Sequence, residues 1–337
     1  MISGYGPRGL STRLQDCLKS GWTSASKTAL WLISVTVPIS FATLLLQLTG
    51  LLDGIAGVFA PLFSLFGLPG EAALVFVTSC LLNIYAAIMV METLNLPLDA
   101  ATILALMCLI SHNLPVETTV QRKTGSRAWV MVSVRLGCSF VSALVLQRLL
   151  PMESASIAAA AFDEGATTGT LLQIRAWFLR TSFLCAKIVI LITVLMILQR
   201  LLEEFGGIAM LAKIMKYPLV LLGIPHQAAF LWIVANTLGL SYGAGVLLDH
   251  VQQKHLPRRH ANLLNYHIAV SHSLLEDTCL FVAIGVSVWW ITIPRILLAG
   301  IVVWLKRIFD GVAARRRKLS TASRHITGSG LFDVEQS

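Results

Sequence analysis

Two ten-residue stretches carry the side chains best suited to chemistry: ISHNLPVETT (Ile110–Thr119) and VSHSLLEDTC (Val270–Cys279). Ser111, His112, Leu114, Glu117 and Thr118 in the first match Ser271, His272, Leu274, Asp277 and Thr278 in the second, 160 residues later without a gap. The same offset carries Arg135, in VSVRL, onto Arg295, in TIPRI. Imidazole exchanges protons near neutral pH and ligates metals, a carboxylate holds a cation or a proton, and a guanidinium orients carboxylates or attracts anions. Together these groups suit binding of a small polar solute or ion, with Glu276 beside Asp277 as a further acid. Cys108, His112, Glu117, His272, Asp277 and Cys279 are candidate metal ligands by type. No HExxH or CxxC spacing accompanies them, and intramembrane Cys also serve packing.

The surroundings make these groups costly. Of 337 residues, 56% are hydrophobic and 13% charged, with mean hydropathy +0.76. Soluble domains carry about 25% charged residues, so lipid is the expected solvent. Ala29–Leu48, Glu71–Met91, Trp129–Leu150, Leu184–Leu202, Ala228–Leu248 and Cys279–Leu305 each approach or exceed the ~20 apolar residues a crossing helix needs. An ionisable group at that depth costs at least about 2.5 kcal/mol. Keeping His, acid and Arg twice therefore points to an internal polar site, or else to a structural ion-pair network that locks helices.

The fold class expected is all-α, a polytopic membrane protein of two repeats, inverted, each with an interrupted helix. LFGLPGEAAL (Leu65–Leu74) pairs with LLGIPHQAAF (Leu221–Phe230) at an offset of 156, and the extra four residues fit the loop His250–His260. Pro115 lacks an N–H, so the Ser111 carbonyl loses its helical partner and a break is expected there. The second copy has Leu275 instead, and its break would have to come from Ser271 and Ser273. His272 and Glu276, four apart, would share one helical face, whereas Glu117 and Asp277 reach their histidines only if the helix is interrupted. Asn83, Tyr85, Asn236, Thr237, Tyr242, Asn265 and His267 form a second tier of hydrogen-bonding groups that equally serve as helix–helix glue.

Five segments follow: a cytoplasmic N-terminal arm, with an interfacial helix as one form it could take, over 1–28; a first repeat, 29–150; an external acidic linker, 151–173; a second repeat, 174–305; and a basic cytoplasmic tail, 306–337. The net charge of +9 gathers in the arm and the tail, so both termini are expected on the cytoplasmic side of the cytoplasmic (inner) membrane, and it does not indicate nucleic acid. Arg122–Arg127 fits the inside as well, while Lys254, Arg258 and Arg259 then sit on the wrong side. The arm is too long for a secretory n-region, so the first span is expected to be retained. The six cysteines show no pairing pattern. Gly239–Gly243 spells G-x-S-x-G, but within an apolar helix rather than a strand-to-helix turn, and no phosphate-binding G-x-x-x-x-G-K-[ST] loop occurs, so no enzyme is expected.

The duplicated Ser-His-x-Leu-x-x-acid-Thr preceded by Gly-x-Pro-x-x-Ala-Ala resembles the nucleoside-recognition, or Gate, domain family of bacterial membrane proteins, over most of residues 30–305. That family is similar to parts of concentrative nucleoside transporters and of FeoB-type ferrous iron transporters. The resemblance implies inverted repeats, broken helices and a midplane site. The chain lacks the GTPase domain of the iron transporters and the extra N-terminal helices of the nucleoside transporters. The expected function is a transporter or permease for a small polar solute or ion, coupled to protons through the histidines. The alternatives are a non-transporting scaffold or sensor subunit, and a divalent metal permease. No resident cofactor is expected; a divalent metal or a proton is the candidate transported or coupling ion. The expected partners are the lipid bilayer, the solute and a homo-oligomer or partner membrane subunit, and not nucleic acid.

Overall fold

The structure is a computed structural model and describes residues 9–150, 169–237 and 239–329, with the side chains of 239–242, 244 and 317–329 left aside. The acidic residues of the 151–173 linker and the Tyr242 side chain lie outside the described residues. Among those described there are helices and turns but no strand.

Among the described residues, fourteen α-helices divide into two sets of seven. The first is α1 (Leu10–Leu48), α2 (Leu51–Phe63), α3 (Ala72–Leu81), α4 (Ile84–Leu94), α5 (Leu98–Ser111), α6 (Leu114–Lys123) and α7 (Ala128–Leu149). The second is α8 (Thr170–Glu204), α9 (Gly207–Leu221), α10 (Ala229–Thr237), α11 (Gly239–Gln252), α12 (Arg258–Ile268), α13 (Glu276–Ala283) and α14 (Val288–Ser329). The sets share their backbone punctuation. Every described residue with positive φ has a counterpart: Gly50 with Gly206, Gly67 with Gly223, Asn95 with Lys254, Asn113 with Ser273, and Gly125 with Gly285. Gly67 and Gly223 are the glycines of Gly-x-Pro, where left-handed φ of 67° and 82° favours a residue without Cβ. The offset changes between Ala235 and Arg258, because α11 is longer than α4 and the α11–α12 turn longer than the α4–α5 turn.

The chain is a membrane protein by its helices. Among the described residues, Leu10–Leu48, Leu98–Lys123, Ala128–Leu149, Thr170–Glu204 and Val288–Arg316 are long and apolar enough to cross a bilayer. α1, with 39 residues, is about 58 Å long, well beyond the ~30 Å hydrocarbon thickness, so it projects from the membrane. The boundaries expected at 28/29 and 305/306 both fall inside unbroken helices, α1 and α14. The segments Glu71–Met91 and Ala228–Leu248, expected as continuous spans, are each broken: α3 gives way to α4 at Leu82–Asn83, and α11 folds back on α10, since a Cβ on Gly243 would lie 3.2 Å from the Ala235 Cα. Each repeat thus holds two interrupted helices rather than one.

α5 forms the centre, with Ala100 through Ser111 all buried, the pattern of a helix surrounded by protein on every side. α7 and α14 flank it with matching buried stripes: Met131, Arg135, Ser139 and Ala143 on one, Ile291, Arg295, Ala299 and Val303 on the other. The arginines thus occupy core positions. Opposite faces of the long helices carry exposed Leu297, Ile301, Phe178 and Ile190, as lipid-facing surfaces do.

Counterpart helices run antiparallel against each other. Along α1 and α8, Arg13 meets Glu204, Gly21 meets Ile197 and Phe41 meets Trp177. Along α5–α6 and α12–α13, Leu98 lies beside Gly285, His112 beside His272 and Gly125 beside Arg258.

Candidate functional site

Both motifs sit where a helix stops and restarts. In the first, α5 ends at Ser111, His112 is extended, Asn113 is left-handed, and α6 begins at Leu114 with Pro115 in its first turn. In the second, α12 ends at Ile268 and α13 begins at Glu276, so the copy without proline has the longer break. The two breaks are held alike. Asn113 N–H donates to the Ser79 carbonyl at 2.8 Å, and its counterpart Ser273 N–H donates to the Ala235 carbonyl at 3.2 Å. The carbonyls come from the last turns of α3 and α10, beside the second interruption of each repeat.

The arginines take the carbonyls freed by the breaks. Arg135 donates to Ile110 O at 2.7 Å and to His112 O at 2.6 Å; Arg295 donates to His272 O. Cation at a helix C-terminus and acid in the first turn of the next helix, Glu117 in α6 and Asp277 in α13, follow the dipole preference.

Four side chains from the two repeats converge between these ends. His112 Nε2 lies 3.1 Å from His272 Nε2, 3.3 Å from Glu117 Oε1 and 3.3 Å from Asp277 Oδ2. His272 Nε2 lies 3.0 Å from Glu117 Oε1. All four residues are buried, at 6% exposure or less. Glu117 Oε2 pairs with Arg135 Nη1 at 2.6 Å, while no such pair joins Asp277 to Arg295 among the described residues. Asp277 and Glu117 thus reach His112 because the helices are interrupted, as the five-residue spacing requires.

A cavity of about 390 Å³ leads to this cluster. It is lined by Asn83, Tyr85, His112, Asn113, Glu117, Ser273, Glu276 and Asp277, and at its outer part by Ser24 and Thr28 of α1 and Gln199, Arg200 and Glu203 of α8. Arg200 is 44% exposed, so the cavity runs from an accessible rim to a buried end.

Other expected residues do different work. Ser111 donates toward α7, meeting Ser139 Oγ at 2.6 Å and the Arg135 carbonyl at 3.2 Å, and does not line the cavity. Ser271, Thr118 and Thr278 are buried with hydroxyls that have no partner. Glu276 does not share a helical face with His272, since the helix is broken between them; it accepts from Tyr85 Oη, across the repeats, at 2.5 Å. Asn83 caps α4 through Ala86 N–H, and Asn236 donates to Trp232 O. Asn265 donates to Thr124 and Ser126, and His267 accepts from Trp232, both away from the cavity. Thr237 is tied to its own helix and its carbonyl to Gln199. Cys108 and Cys279 lie outside the donor cluster, which groups His112, Glu117 and His272. All six cysteines are free, and Gly239–Gly243 opens helix α11. Sequence reasoning missed Asn113, Ser273, Gln199, Arg200 and Glu203. The polar residues directly after the two histidines and the polar end of the Leu184–Leu202 run were the available signals.

Comparison with known proteins finds a match over the first repeat. Residues 29–125 match the Gate family model, described as nucleoside recognition. This covers α1 from its midpoint through α6, and so the first motif and its break. The chain is also similar to YvoD, an uncharacterized membrane protein of Bacillus subtilis (strain 168), with 29% identity over 282 residues, 83% of this chain and 90% of the relative. No solved structure matches it. The Gate match and this relative support a membrane transporter-like role in general terms.

Proposed function

We propose that the protein is a permease of the cytoplasmic membrane that moves a small polar solute or ion through a site between two inverted repeats. The observation carrying this reading is the meeting of His112 and His272, one from each repeat, with Glu117 and Asp277 at the buried end of a cavity with an accessible rim. Ionisable groups inside a membrane protein mark a transport path by default, and a helix break at that depth is tolerated where it lines a cavity.

Inversion is supported by reciprocal contacts. Leu98 against Gly285 and Gly125 against Arg258 exchange into each other under the 160-residue offset; Gly21–Ile197 and Phe41–Trp177 do so under 156. Only a two-fold operation that reverses chain direction produces such pairs, and His112–His272 then lies on its axis. With the basic arm of α1 inside, the rim at Ser24, Thr28 and Arg200 faces the cytoplasm.

A test is uptake into proteoliposomes containing the full chain, screened against nucleosides, small organic ions and divalent metals. His112→Gln with His272→Gln is expected to abolish uptake while gel-filtration behaviour and thermal stability stay near those of the parent. Undiminished uptake by the double variant overturns the site.

The Glu117–Arg135 pair favours a second reading, a scaffold or sensor subunit in which buried charge only joins helices. Under it, Glu117→Gln with Arg135→Met recovers the stability lost in either single change, and no solute binds. A permease recovers stability but not uptake.

A further inference from the structure

We infer that the solute is a divalent transition-metal cation, held by His112, His272 and Glu117 with Asp277 as a fourth donor. This rests on the transport reading above and narrows it.

The argument begins with the imidazole protons. His112 Nδ1 lies 3.2 Å from Cys108 O, and His272 Nδ1 lies 2.8 Å from Ile268 O, each the carbonyl one turn back on its own helix. A carbonyl only accepts, so each Nδ1 carries the proton and each neutral ring presents its Nε2 lone pair. Both lone pairs then point into the same space, 3.1 Å apart. An Nδ1–H fixed on a backbone carbonyl is also the usual outer-sphere support of a ligating histidine.

The carboxylates add to the convergence. Arg135 holds Glu117 Oε2, which turns Oε1 toward both Nε2 atoms, at 3.3 and 3.0 Å. Asp277 Oδ2 is buried, lacks a hydrogen-bond partner and lies 3.3 Å from His112 Nε2. Three lone-pair donors facing one point, with a fourth beside them, repel unless something positive sits among them. One proton satisfies a single pair of them. A metal ion satisfies all three and leaves a place for the fourth.

The spacing agrees for three donors. Tetrahedral bonds of about 2.0–2.2 Å set neighbouring donors about 3.3–3.5 Å apart. The separations among His112, His272 and Glu117, 3.0–3.3 Å, fall just inside that range. Asp277 lies 3.3 Å from His112 but outside that group of three, so it must turn inward to serve as the fourth donor. Two imidazole nitrogens with carboxylate oxygen suit first-row divalent ions and not Ca²⁺ or Mg²⁺, which take oxygen shells. Arg135 and Arg295 offset the charge of Glu117 and Asp277, which keeps the site from holding a divalent ion too tightly. That suits cargo that must leave.

Titration of the purified full-length protein with Co²⁺ tests the assignment, because cobalt in a tetrahedral or five-coordinate nitrogen–oxygen shell absorbs strongly in the visible. One Co²⁺ per chain, displaced by Zn²⁺, is expected. His255→Gln removes an exposed imidazole and is expected to leave binding unchanged. His112→Gln and His272→Gln are each expected to weaken it at least tenfold. Undiminished binding in either, or no binding by the parent at millimolar Co²⁺, overturns the inference. Zinc-edge X-ray absorption on the unmodified protein avoids any folding defect of the variants: scattering from two imidazoles is expected, and one or none overturns it. Proteoliposome uptake separates this from the broader reading. Uptake of a metal-free solute by a protein that binds no metal sinks the metal site and leaves the permease. Tight metal binding with no uptake of metal or any other solute does the reverse.

Discussion

Arg135 and Arg295 occupy equivalent places in the two repeats and are used differently. Arg135 is engaged on three sides: Nε and Nη2 hold the Ile110 and His112 carbonyls, and Nη1 is ion-paired with Glu117 at 2.6 Å, though outside hydrogen-bond geometry. Arg295 keeps only the His272 carbonyl, and its Nε and Nη1 are buried without a partner. The cause is one methylene. The first repeat has Glu117 where the second has Asp277, and the shorter acid stops short of its arginine, leaving Oδ2 turned to the shared centre. A second difference follows the same line. Ser111 has Ser139 as partner, but the counterpart of Ser139 is Ala299, so Ser271 is left without one. The first repeat has an acid–arginine ion pair and a serine pair at these positions; the second has neither. A binding site needs unsatisfied groups, and they are concentrated in the second repeat.

The largest effect that would break this comparison comes from the arginines themselves. Arg135→Met strands a buried Glu117 carboxylate and is expected to cost about 3–5 kcal/mol of stability. Arg295→Met removes one carbonyl bond and two donors that already lack partners, with an expected cost of about 1–3 kcal/mol. Thermal unfolding of both variants in the same detergent measures the order. Equal losses, or a greater loss at Arg295, would mean that the two repeats are not differently satisfied.

The next effect is smaller and concerns a bond that crosses between repeats at the cavity wall. Tyr85 Oη donates to Glu276. Val116 stands in the first repeat where Glu276 stands in the second, so this link exists once and its two-fold image does not. Tyr85→Phe is expected to cost about 1.5–3 kcal/mol, the loss of a hydrogen bond to a charged group. It frees a carboxylate at the cavity wall, so it is also expected to change the concentration dependence of uptake. Unchanged stability together with unchanged uptake would reduce the contact to packing.

The duplicated polar motif was legible because ionisable letters are rare in so apolar a chain, and repetition at one offset made chance an insufficient explanation. The break near Pro115 was legible for the same local reason, a missing N–H. The breaks at Leu82–Asn83 and between α10 and α11 were not, because neither contains proline; Asn83 signals its break only by capping α4 through Ala86. The longer interruption before α13 shows that a helix can stop without a breaker residue when neighbouring carbonyls, here Ala235 and Asn236, accept its N–H groups. Such partners are tertiary and leave no trace in a local window. The pairing of Glu276 with Tyr85 instead of His272 was hidden likewise, since the four-residue rule presumes an unbroken helix. The tautomers of His112 and His272, which decide what the cluster can bind, follow from backbone carbonyls that no pattern of letters reveals.

The smallest effect is the most direct way to sharpen the comparison, since it adds a missing bond instead of removing one. In the first repeat Ser139 Oγ donates to the Met107 carbonyl at 2.8 Å and meets Ser111 Oγ at 2.6 Å. Ala299 occupies the equivalent buried position opposite Ser271, whose hydroxyl has no partner. Ala299→Ser would supply that partner by adding one oxygen, and a buried donor that gains a bond is expected to stabilise by about 0.5–1.5 kcal/mol. The same change on a chain without two-fold equivalence would bury a further unpaired hydroxyl and destabilise by a similar amount. The sign of the shift in unfolding temperature therefore tests whether the second repeat is built on the first one's plan. A fall would mean that Ser271 is open for some reason other than the absence of its partner, and that α14 does not sit against α12 as α7 sits against α5.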